Sequence, residues 1–137
     1  MTRNEGAIDE LFKNAIELRD LERFGDAIEK FTQILAISPT RRAPILGVMG
    51  HIYYKQRAFD KALECYTEAV SLSPMSELGS LGLFHTLWNM GREWDAFAEA
   101  KRFLTLKDSD EYFLMIEEMR DAFIDAGMDP DTLKRPD

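Results

Sequence analysis

Apolar side chains recur three and four positions apart along most of the chain, in blocks separated by polar residues, glycine or proline. Tyr112, Ile116, Met119 and Phe123 illustrate the spacing, which puts all four on one face of a helix. Read along the whole chain, this period predicts seven helices, at about 7–21, 24–37, 42–56, 59–72, 77–90, 93–106 and 110–126. Asp26, Asp60 and Asp95 stand at helix starts, where a carboxylate complements the positive end of the helix dipole. Pro39 and Pro74 end helices, since proline cannot donate a backbone hydrogen bond. Asp108-Ser-Asp-Glu111 reads as a capping box for the last helix, and Gly127 as its stop.

The blocks also repeat. Ala27–Phe31, Ala62–Tyr66 and Ala96–Ala100 share a small–x3–apolar pattern, and their leading alanines are 35 and 34 residues apart. Pro39 and Pro74 each follow the alanine by twelve residues, and Asp108 takes that place in the third block. The middle block is preceded by Leu46, Met49, Gly50 and Tyr53. This resembles the tetratricopeptide repeat, a helix–turn–helix unit whose pattern runs W-x2-L-G-x2-Y, then A-x3-F, then P. The first block keeps Ala27, Phe31 and Pro39 but reads Leu11, Asn14, Ala15 and Leu18 in its first helix. The third is worn, with Ser80, Leu83, Phe84, Leu87, Ala96 and Ala100 and no proline.

The resemblance implies an all-α, right-handed superhelical array of antiparallel helix hairpins. Its expected organisation is a frayed N-terminus at 1–7 and a single domain at 8–126. Within it lie repeats at about 8–41, 43–76 and 77–108 and a capping helix at 109–126, followed by a loose acidic tail at 127–137. The family also implies that ligands lie on the first helices of successive repeats. Carried onto this chain, those places are Phe12, Ile16, Arg19 and Asp20, then Gly47, His51, Tyr54 and Lys55, then Leu81, His85, Trp88 and Asn89. Each set forms one stripe, mostly apolar or aromatic. Aromatics are typical interface anchors, so the stripes suggest a groove for another protein. The bland alternative is that they pack inside, against the last helix or a second copy of the chain. Some family members clamp a carboxylate-terminated chaperone peptide with Lys, Asn and Arg. The matching places here hold Phe12, Ile16, Val48, Leu78 and Gly82, so that clamp is not expected.

Composition narrows the partner. The chain has 137 residues and a net charge of −8. Residues 108–137 hold ten acids and three bases, whereas residues 41–107 hold seven acids and nine bases. A negative chain repels nucleic acid and membrane anions, so neither is an expected partner. The ridge Glu117, Glu118, Asp121 and Asp125 is either a solvated face or a flank that attracts a basic protein. Arg41 and Arg42 could offer a basic corner. No 18-residue apolar stretch occurs, and the polar start together with a single cysteine, Cys65, suits the cytosol. No phosphate loop, nucleophile elbow or paired-cysteine motif appears, so an enzyme is not expected and no cofactor or metal is implied. His51 and His85 occupy equivalent places, but a structural zinc site needs four ligands. The expected function is a protein-binding module: a small chaperone or adaptor with an apolar groove. The alternatives are an immunity or inhibitor protein that uses its acidic surface, and a self-associating homodimer.

Overall fold

The computed structural model describes residues 3–133 and 135, without the side chains of Arg3 and Asn4. Eight α-helices follow in order: α1 Arg3–Asp20, α2 Phe24–Ile37, α3 Arg42–Lys55, α4 Phe59–Leu72, α5 Glu77–Asn89, α6 Glu93–Leu106, α7 Asp110–Glu118 and α8 Arg120–Asp125. Short 3-10 turns occupy Pro39–Arg41 and Pro130–Leu133. No strand occurs among the described residues. Helices α1 and α2, α3 and α4, and α5 and α6 pack as hairpins, and α4 packs on α5 to join neighbouring hairpins. The all-α expectation and the hairpin array are therefore found.

Three alanines explain how the hairpins close. Ala27, Ala62 and Ala96 are fully buried, one in each second helix, where a larger side chain would force the helices apart. Around them lie two apolar clusters. The N-terminal cluster is built on Ile8, Phe31, Ile34, Ile45 and Ile52, the C-terminal one on Phe84, Phe103, Tyr112 and Phe123.

The hairpin turns share one device that the residue pattern did not reveal. Glu22, Arg57 and Gly91 all have φ near +60 to +78°, and each follows the first helix of its hairpin. At each, two reversed hydrogen bonds close the helix end: Arg23 N–H to Leu18 C=O and Glu22 N–H to Arg19 C=O in the first. Ala58 to Tyr53 and Arg92 to Leu87 repeat the longer bond. This is the Schellman motif, and only the third copy uses the glycine that tolerates it best.

The C-terminal end departs from expectation in two ways. The anticipated single helix at 109–126 is two, α7 and α8, broken at Met119 with φ −99° and ψ 10°. The break turns Phe123 into the aromatic cluster, where its ring centroid lies 5.3 Å from Trp88, 5.7 Å from Phe97 and 6.1 Å from Phe84. Helix α8 then ends on Gly127 with φ 86° and a Met128 N–H to Phe123 C=O bond, the same motif as the hairpin turns. The α7–α8 pair thus ends as the first helix of each hairpin does. Of the residues after it, expected to be loose, Met128, Pro130 and Leu133 are buried, and Lys134, Pro136 and Asp137 lie outside the described residues. Apolar side chains outweighed the acidic composition of this stretch. At the other end α1 begins at Arg3, before the expected start; Met1 and Thr2 lie outside the described residues.

A buried polar network locks α5, α6 and α7 together. Tyr112 Oη and Ser80 Oγ are 2.6 Å apart, and Ser80 donates to Glu99 Oε2 at 2.6 Å. Arg102 holds both Glu99 oxygens, at 2.8 and 2.6 Å, and donates to the Pro74 carbonyl at 3.0 Å. Every buried side-chain polar atom among the described residues has a partner, so the network carries no unpaired desolvation cost. Ser109 caps α7 through Tyr112 N–H and donates to Glu77 at 2.6 Å.

Candidate functional site

A groove of about 660 Å³ opens between α3 and α5. Its walls are Pro44, Gly47, Val48, His51 and Tyr54 from α3 and Leu78, Leu81, Gly82 and His85 from α5. Arg19 from the end of α1 closes one side, and Tyr66 from α4 forms the floor. Its size falls within the range of ligand-binding clefts.

The floor depends on two glycines. A Cβ on Gly50 would sit 3.0 Å from the Tyr66 ring, and one on Gly82 would overlap it. The ring therefore lies flat between α3 and α5 only because neither position carries a side chain. Gly47 is different. A Cβ there would meet nothing within 4 Å, so no packing demands glycine in the middle of α3. Glycine at such a place weakens a helix by about 0.5–1 kcal/mol relative to alanine. Its effect in this structure is to leave the groove open.

The polar groups of the groove are held in defined states. Tyr54 accepts from Asn89 Nδ2 at 2.9 Å, and Asn89 also donates to the His85 carbonyl at 2.8 Å. Partial desolvation lowers both imidazoles below the ordinary histidine value, with Lys55 and Arg19 adding to the effect at His51. Both are therefore neutral near pH 7. Burial pushes the Tyr66 hydroxyl up, so it stays protonated. No carboxylate lines the groove.

Of the stripes expected from the sequence, Arg19, Gly47, His51, Tyr54, Leu81 and His85 come together here. Lys55 is exposed one turn beyond His51. Three others turn inward. Phe12 packs edge-on against Phe31 at 5.9 Å, Ile16 joins the N-terminal core, and Trp88 lies between Phe84 and Phe123. Phe12 and Ile16 are partly buried, packed against the apolar cluster around Phe31. Trp88 is taken by the Phe123 that the α7–α8 break supplies. Asn89 acts through Tyr54, outside the lining. Val48, Leu78, Gly82 and Tyr66 were not among the expected site residues. The first three stand at the places the resemblance assigned to the absent clamp, which was the available signal for them.

Other candidates have structural uses. Arg41 pairs with Glu5 at 3.1 Å and Asp9 at 2.7 Å, and Arg42 pairs with Glu68, so the basic corner is engaged within the chain. Cys65 is buried and its thiol is pushed up to about 11 by that burial, so it behaves as a core residue rather than a nucleophile. On the acidic ridge Glu117 binds Arg120 at 2.9 Å, while Glu118, Asp121 and Asp125 are exposed and make no ion pair among the described residues.

No curated protein matches the chain. No helix among the described residues is long and apolar enough to cross a membrane. Residues 43–76, which comprise the α3–α4 hairpin with Gly50, Tyr66 and one wall of the groove, match the tetratricopeptide repeat family model. With that segment at the centre and packed helix pairs on either side, the chain holds one hairpin that matches the tetratricopeptide repeat, set within an array of helix hairpins.

Proposed function

We propose that this chain is a protein-binding module whose ligand lies in the α3–α5 groove. The repeat family supports protein binding in general. The observation that carries the groove reading is Gly47: a helix-interior glycine with no packing role that keeps an apolar cleft open. The groove's aromatic and aliphatic walls suit a peptide segment of an adaptor's or chaperone's client.

Gly47→Phe tests this. A Cβ there meets nothing within 4 Å, so a bulky side chain starts into open space on the groove side, and circular dichroism checks that the helix content is kept. Capture of partner proteins from the native cell should be lost in Gly47→Phe and retained in Gly47→Ala. Equal capture by both would place the ligand elsewhere. One such place is the acidic ridge, where Glu118, Asp121 and Asp125 are free to meet a basic protein. On that reading capture would fall on neutralising those three and would weaken steeply with salt.

A further inference from the structure

The groove has a charge character opposite to that of the molecule around it. The chain carries a net charge of −8, yet no Asp or Glu lines this cleft. At one end stand Arg19 and, one turn beyond His51, Lys55. Arg19 is bonded at 2.9 Å to Asp20, its own exposed neighbour, and Lys55 makes no ion pair among the described residues. Lys55 offsets the negative end of the α3 dipole, a full charge against about half of one. The other end is bounded by Pro44 near the start of α3 and by Ser76, which caps α5; Glu77 in the first turn of α5 offsets the positive end of that helix and accepts from Ser109, outside the lining, so the positive helix end that the groove meets is that of α3. The neutral histidines and the protonated Tyr66 add no negative charge between the two ends.

Length bounds the occupant. From Pro44 to Tyr54 the α3 wall runs about 15 Å at 1.5 Å per residue. That admits about five residues of extended chain or nearly three turns of helix.

Building on the groove reading, we propose that the occupant is a short acidic–apolar segment of another protein. Its bulky apolar side chains lie over Gly47 and the Tyr66 floor, and a carboxylate meets Arg19 and Lys55. On Arg19 that carboxylate competes with Asp20, whose exposed side chain is free to turn into water.

The test uses a phage-displayed library of random twelve-residue peptides, selected on the wild-type chain and counter-selected on Gly47→Phe. Gly47→Leu serves as a second plug, and circular dichroism confirms that both keep the wild-type helix content. The expected survivors carry two or more bulky apolar residues and an excess of Asp and Glu. They should bind the Arg19→Gln, Lys55→Gln double variant at least ten-fold more weakly at low salt. Survivors that are neutral or rich in Lys and Arg would overturn the acidic assignment and leave the groove reading standing. A library that yields no binders sensitive to both plugs would overturn the two together.

Discussion

Single residues decide whether the groove exists. Gly82 and Gly47 line the same cleft, yet alanine should act oppositely at the two. Gly82→Ala drives a methyl into the Tyr66 ring, which is already held against Gly50, and should cost about 1–3 kcal/mol. Gly47→Ala meets open space and should stabilise by about 0.5–1 kcal/mol through helix propensity. Urea unfolding of the two variants checks both signs. The histidines give a pH effect whose direction is fixed. The unfolded chain protonates them near the ordinary value of about 6.5, whereas the folded chain resists protonation until lower pH. Their stabilising contribution is thus complete above about 6.5 and is lost as the pH falls below it. The urea midpoint of the wild type should drop between pH 7.5 and 5.5 by more than that of the His51→Gln, His85→Gln variant. Half of the cleft was readable in the sequence because stripe residues such as Gly47, His51, Tyr54 and His85 follow helical spacing. Tyr66 was not, because its place in the A-x3-F pattern marks it as filling between hairpins. Only the two glycines facing it show that its ring also floors a cavity.

At the scale of elements, the period of apolar residues was enough to place the first six helices within a few residues. It could not show the break at Met119, because Tyr112, Ile116, Met119 and Phe123 keep the same spacing through it. Beyond the break Phe123 joins the aromatic bed around Trp88 and Phe97, a tertiary contact absent from local pattern. The Schellman turns were hidden for a different reason: two of the three hairpin copies place Glu22 and Arg57 where the left-handed conformation favours glycine. Glu22→Gly should stabilise the α1–α2 hairpin by about 0.5–1 kcal/mol, the steric gain exceeding the greater freedom of the unfolded chain. A lower melting temperature for Glu22→Gly would contradict the strain assignment. Arg57 is the less clean site, since its guanidinium lies 5.2 Å over the Phe59 ring and would be lost with the substitution.

The whole molecule is an array closed at one end by its own C-terminal segment. Composition made residues 127–137 look like a solvated tail, but Leu133 is buried, and Asp131 binds Arg120 at 3.0 Å. Acidic content alone did not reveal the three apolar side chains that dock. Leu133→Ala should cost about 2 kcal/mol, read as a lowered denaturant midpoint, whereas a free tail would show no change. Closure at this end also consumes Trp88, leaving the open cleft between α3 and α5 as the surface that distinguishes this array. We propose that this cleft holds the partner. A photo-cross-linking amino acid placed at His51, in the cleft, and at Glu29, on the exposed side of α2, tests it in the native cell. A discrete cross-linked protein is expected from position 51 that disappears when Gly47→Phe is added, and none from position 29. The same adduct from both positions, or one from position 51 that survives the plug, would place the partner outside the cleft.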